Sequence, residues 1–117
     1  MYKSDTKKPT VGNYLMFKLQ HEVFKNKEKT ITKKIVCSEG QTIKTINNKY
    51  FCNKSYLGKT RGISAKGKPI PIIKYDQVIP KNYVFVMGSH PLSFDSRNYG
   101  LIEINEHTQY LKPIWRH

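Results

Sequence analysis

Acidic residues are scarce in this chain: 8 Asp and Glu stand against 21 Lys and Arg in 117 residues, a formal net charge of +13. Arginine is scarcer still, filling only 3 of the 21 basic positions. Readers of bases and phosphates favour the planar, bidentate guanidinium, so a surplus made of lysine is a weak sign of nucleic-acid recognition. The lysines are spread along the chain, and the densest run, Lys25-Asn26-Lys27-Glu28-Lys29, has an acid at its centre. A solvated lysine-rich surface explains this charge better than a footprint on phosphate or on anionic lipid. Long apolar runs are missing too. The longest, residues 14–17 and 83–88, fall far short of the ~20 residues of a membrane helix. No apolar h-region follows Met1, so no signal peptide or membrane span is expected in this chain alone. Cysteine is limited to Cys37 and Cys52, and His21, His90, His107 and His117 show no ligand spacing. Two thiols do not make a tetrahedral zinc site, so no metal is expected. The pair itself is open to two readings, a disulfide or two half-buried thiols.

What the chain does have is short stretches of strand character. Residues 13–19 and 30–37 are rich in β-formers, and residues 42–46 and 49–52 read as a hairpin around Asn47-Asn48. A loop carrying Gly58, Gly62, Gly67, Pro69 and Pro71 follows. Further strands are expected within 78–87, after Pro80, and over 101–104 and 110–115. No segment of ten or more residues has helical periodicity. The length suits one domain over 1–117, with 1–8 a flexible, polar arm. The expected fold is mainly antiparallel β, a folded sheet or barrel of short strands.

Two segments carry groups capable of chemistry. In Ile31-Thr32-Lys33-Lys34-Ile35-Val36-Cys37, alternation puts Ile31, Lys33, Ile35 and Cys37 on one face. Lys33 is thus bracketed by isoleucines. If that face is the core side, its amine is partly desolvated, the condition under which a lysine serves as a general base. The plainer alternative is an edge lysine snorkelling past apolar neighbours. The second segment runs from Gly88 to Gly100 and is dense in hydrogen-bonding side chains. Asp95 and Arg97 are placed to form a charge-assisted pair that fixes the loop. A Ser93/His90/Asp95 triad is a poor candidate, because groups so close in sequence rarely reach triad geometry.

Ser93-Phe94-Asp95-Ser96-Arg97-Asn98-Tyr99-Gly100 resembles the C-terminal box of type I signal peptidases, the S26 serine peptidases, with Gly88 where that box begins. Lys33-Lys34-Ile35-Val36-Cys37-Ser38-Glu39-Gly40-Gln41 resembles their lysine box, and Pro9-Thr10-Val11-Gly12-Asn13-Tyr14-Leu15-Met16-Phe17 the strand before it. The Gly67-Lys68-Pro69 stretch and Ile79-Pro80 are most similar to the TraF branch, the peptidases of conjugative transfer. The likeness runs from about Pro9 to Trp115. It departs from the family at Ser89-His90, which replace Asp-Asn, and at Glu39 and Gln41, which flank Gly40 in place of Pro and Asp.

The resemblance implies a signal-peptidase-like β fold and a serine endopeptidase that works through a Ser/Lys dyad without a cofactor. Carried over by position, Lys33 is the general base and Ser93 orients it, with Asp95 and Arg97 a structural pair beneath the site. The nucleophile of ordinary family members falls on Ser4, eight residues before Gly12, although Lys7 stands where they have Pro. In the TraF branch the serine lies beyond Met1. The expectation is therefore an incomplete chain, lacking its serine box and membrane anchor and inactive or nearly so. The implied partners are signal-bearing precursors such as a conjugative pilin. The implied setting is the periplasmic face of the inner membrane. The rival reading is a non-catalytic basic β domain binding nucleic acid or acidic surfaces, which the aromatics Tyr50, Phe51, Tyr56 and Phe85 support only slightly. Nucleic acid is the less favoured partner.

Overall fold

The computed structural model describes residues 2–4, 11–20, 25, 27–63, 66–88, 93–104 and 109–113, the first and last of these by backbone alone. In chain order the described elements are β1 (Tyr2–Ser4), β2 (Tyr14–Gln20), β3 (Glu28–Ser38), β4 (Thr42–Ile46), β5 (Lys49–Cys52), β6 (Ser55–Lys59), β7 (Asp76–Val78), β8 (Tyr83–Met87), α1 (Ser96–Tyr99), β9 (Ile102–Glu103) and β10 (Gln109–Pro113). They form two antiparallel sheets, one in the order β1-β10-β2-β3-β8-β9 and the other β6-β5-β4-β7. The fold is mainly antiparallel β, a curled arrangement of short strands, as its alternating segments imply.

The unbroken apolar run of β8 has a direct cause. Phe85 and Met87 enter a cluster between the two sheets, with Ile43, Tyr50, Tyr75 and Ile79. Val84 and Val86 face the opposite way, into a cluster with Leu15, Phe17 and Ile35. A strand covered on both faces has no use for alternation. β3 lies beside it, and its register with β8 shifts between Ile35 and Cys37. This bulge overturns part of the alternation expected from the sequence. Ile35 packs with Val84 and Val86, whereas Cys37 is turned over into the cluster of Phe85 and Met87. An extra residue in one strand reverses the facing of everything after it.

The hairpin at Asn47-Asn48 forms as expected, with φ of 51° and 64° at the two asparagines. A second hairpin, β5 to β6, turns through Asn53-Lys54 with φ of 47° and 75°. Two-residue turns of this kind need positive φ at both central positions, and lysine gives no such signal in sequence. The turn is held instead by Asn53, whose Oδ1 accepts from Thr42 N at 2.7 Å and whose N donates to Thr42 O at 2.9 Å. The strand expected after Pro80 forms as β8, whereas Val78 ends β7 in the other sheet, and Pro80, which has no N–H for a ladder, lies between them. Within the arm read as flexible, Tyr2–Ser4 pairs with β10, and the remainder of 1–8 lies outside the described residues.

Cys37 and Cys52 form a disulfide in the core, joining β3 of the large sheet to β5 of the small one. A loop of 15 residues closed this way should add about 3 kcal/mol by restricting the unfolded chain. Reduction, or the Cys37→Ser/Cys52→Ser pair, is therefore expected to lower the melting temperature by several degrees. An unchanged melting curve would show that the sheets hold each other without the bridge.

Candidate active site

A four-residue helix is too short to form by itself, and α1 is held by its caps and surroundings. Asp95 is its N-cap: Oδ1 accepts from Arg97 N at 3.0 Å, and Asp95 N donates to Asn98 Oδ1 at 3.2 Å. Ser96, Arg97 and Asn98 are all buried, so each polar group must find a partner. Ser96 Oγ accepts from Val86 N at 3.0 Å, and Asn98 Nδ2 donates to Pro71 O at 2.9 Å. The hydroxyls of Tyr75 and Tyr50 donate to the Ser96 and Arg97 carbonyls, at 2.6 and 3.2 Å. The helix is a polar plug seated against β8, with the Ser96 and Asn98 side chains bonded and the buried Tyr99 hydroxyl left without a partner among the described residues.

At its centre Asp95 and Arg97 are 0% and 2% exposed. The guanidinium grips the carboxylate through two bonds, Nε to Oδ1 at 2.8 Å and NH2 to Oδ2 at 2.7 Å. Arg97 NH1 also donates to Lys59 O at 2.8 Å, and Asp95 Oδ2 accepts from Gly88 N at 2.9 Å. One buried ion pair thus ties β6, the end of β8 and α1 together. Gly58 reinforces this approach, since a Cβ there would meet Met87 Cε at 2.9 Å.

Lys33 follows from the register. Lys34 pairs with Met87, so one further step sets Lys33 opposite Gly88. Ile31 and Ile35, two residues to either side of Lys33, both belong to the cluster of Leu15 and Phe17. Lys33 itself is half-buried. A Cβ on Gly88 would meet Ser93 Oγ at 2.5 Å, Ser93 Cβ at 2.7 Å and Lys33 Nζ at 3.0 Å. The amine and the hydroxyl therefore converge on a position where the backbone carries no side chain. They open into a cleft of about 670 Å³, walled by β3 and β6 and floored by Met87, Gly88 and Arg97.

The structure thus brings together Lys33, Ser93, Gly88, Asp95 and Arg97. Ser4 stands elsewhere along the sheet. Its backbone pairs with Leu111, which pairs with Tyr14, which pairs with Lys34. Three strand spacings, about 14 Å along the sheet, separate its Cα from β3. Its side chain, like the whole of His90, lies outside the described residues. Among the described residues, no group of three or more His, Cys, Asp or Glu is placed to hold a metal, and no helix is long and apolar enough to cross a membrane. The wall from β6 was not visible in sequence, because Tyr56-Leu57-Gly58-Lys59 follows an unmarked turn and is too short to show a period.

The buried tyrosines respond to base. Burial pushes the Tyr50 phenol up to about 12, with the Asp95 carboxylate adding and Arg97 opposing. Tyr75 and Tyr99 are raised further, also chiefly by burial. A phenol whose folded pKa exceeds the unfolded value favours the fold fully below about pH 10, and that contribution is lost as pH rises through the folded value. The fold should therefore lose stability from about pH 10 upward, first as the Tyr50 phenol approaches its folded value of about 12 and then as Tyr75 and Tyr99 ionise above it. The strand circular dichroism should fall with it. Ionisation of all eight tyrosines with the strand signal intact would contradict this.

The family profile described as signal peptidase, peptidase S26, matches residues 1–115. This chain belongs to the S26 signal peptidase family. Its fold is similar to the crystal structure of a signal peptidase I from Enterococcus faecalis, with a TM-score of 0.51 and 18% identity over 85% of this chain and 92% of that one. A comparison with curated proteins finds no match. Membership in the signal peptidases carries a peptidase-type function, substrates that are precursors bearing signal peptides, and a family associated with membranes.

Proposed function

We propose that the cleft around Lys33 is the centre of a Ser/Lys peptidase of the TraF type, processing a signal-bearing precursor such as a conjugative pilin. The observation that carries this reading is the convergence of Lys33 Nζ and Ser93 Oγ on Gly88 inside the cleft. In this role Lys33, as the neutral amine, takes the proton of a serine hydroxyl as that oxygen adds to the scissile carbonyl. It then returns the proton to the departing amine. Ser93 orients the amine by hydrogen bonding. The Asp95–Arg97 pair and Gly88 act as positioning residues, holding the end of β8 and the wall from β6 at the distance the chemistry needs. The reaction calls for no cofactor. Its setting is the periplasmic face of the inner membrane, where such precursors emerge.

Ser4 is the candidate nucleophile within this chain. Because β10 and β2 stand between its strand and β3, the 117 residues alone are expected to cleave weakly or not at all. The test follows a signal-bearing precursor with the parent chain, Ser4→Ala and Ser93→Ala. It adds a form in which the family's serine-bearing segment is joined ahead of Met1. Silence from the chain alone and processing by the joined form is the expected result. Robust cleavage by the parent, lost in Ser4→Ala, would make this a Ser4/Lys33 enzyme. Cleavage kept in Ser4→Ala but lost in Ser93→Ala would move the nucleophile to Ser93. Silence from the joined form as well would overturn the peptidase reading.

A further inference from the structure

The cleft is basic on both walls. Lys34 projects from β3 and Lys59 from β6, and both are exposed. Among the described residues that line the cleft none is acidic, and neither lysine takes part in an ion pair among the described residues. Arg97, the remaining cation of the lining besides Lys33, is neutralised by Asp95. The backbone of Lys59 is fixed at the cleft, because its carbonyl accepts from Arg97 NH1 at 2.8 Å. Lys34 is likewise held by pairing on both sides, to Tyr14 of β2 and Met87 of β8. The backbones of two exposed lysines are thus fixed on facing walls of one concave site, where like charges reinforce each other's field.

We propose that Lys34 and Lys59 are specificity-determining residues, and that the cleft selects an extended peptide carrying an acidic side chain close to the bond presented to Lys33. The proposal rests on the peptidase reading above and adds the charge of the substrate. Lys34 is the next residue after Lys33, and strand residues rise about 3.3 Å each. An Asp or Glu within two or three residues of the scissile bond is therefore in range of one wall or the other. A lysine-rich flank in the same place meets two like charges and is rejected.

The test uses two fluorescein-labelled dodecapeptides with the same core of small and apolar residues, one flanked by Asp and Glu, its twin by Ser and Gln. Affinities are measured by anisotropy at low and near-physiological salt. The chain should bind the acidic peptide about tenfold more tightly than the twin, the ratio shrinking with salt. In K34Q/K59Q that ratio should fall to near one. K74Q/K81Q removes the same charge from exposed lysines outside the cleft lining and should keep the ratio. Equal binding of the two peptides by the parent would overturn the acidic preference and leave the peptidase reading standing. So would a ratio that survives K34Q/K59Q or falls equally in K74Q/K81Q, which would assign it to the overall +13 charge. Binding of neither peptide would overturn both readings, since the cleft would then not be a peptide site.

Discussion

Arg97→Ala is expected to lose about 3–5 kcal/mol of folding stability, the largest effect of any single side chain here. The loss comes from what remains behind. Asp95 stays fully buried with no counter-charge, and Lys59 O loses its donor at the base of the cleft. Asp95→Ala should cost a similar amount, because it strands a buried guanidinium and removes the acceptor of Gly88 N. The two losses should not add. Once one partner is gone the other has little further to lose, so the double variant should resemble the worse single one. Denaturant unfolding of the four proteins measures this directly. Transitions unchanged in both single variants would mean that the pair contributes no net stability. Fully additive losses would mean that the residues act separately.

Gly88→Ala should leave the protein folded and remove processing. A Cβ at this position stands 2.5 Å from Ser93 Oγ, closer than such atoms can come, and a tight 3.0 Å from Lys33 Nζ. Ser93 Cβ, at 2.7 Å, has no flexible chain with which to escape. The backbone at Gly88 or Ser93 must shift, at roughly 1–3 kcal/mol for overpacking. A displacement of about 1 Å at a reacting centre costs on the order of 10²-fold in rate. Gly67→Ala is the matched control: its φ of +79° strains an added side chain, but the space around it is empty. It should lose stability without losing processing by the serine-bearing joined form. Equal processing by the Gly88→Ala and parent versions of that form would show that the convergence on Gly88 is incidental.

Some of this architecture is written locally and some is not. The strand at β8 and the tight turn at Asn47-Asn48 are legible, because both depend only on neighbours in the chain, whereas the burial of β8 on both faces comes from elements distant in sequence. Asp95 and Arg97, two residues apart, could be read as a pair for the same reason. The bulge that turns Cys37 away from Ile35 leaves no mark in the residue pattern. It depends on how β8, a strand far along the chain, pairs with β3. The same holds for Asn53-Lys54, where a bond from Thr42 stabilises a turn that lysine would not choose. Ser96 and Asn98 look like ordinary polar loop residues until Val86 and Pro71 arrive as their partners. The lysine at 33 could be placed between isoleucines from sequence, but its meeting with Ser93 across Gly88 needed the register of β3 on β8.

The measurement that bears most directly on the account compares Lys33→Ala and Lys33→Arg with the parent in the serine-bearing joined form, reading precursor cleavage over time. Arginine keeps the charge and most of the length of lysine but does not give up its proton in proteins. If Lys33 takes the proton of the nucleophile, both variants should fall by roughly 10²–10⁴-fold while unfolding near the parent's transition. Lys74→Ala, an exposed lysine outside the cleft lining, should cleave at the parent's rate. Cleavage that survives Lys33→Ala, or that Lys33→Arg restores, would contradict the assignment of Lys33 as the base.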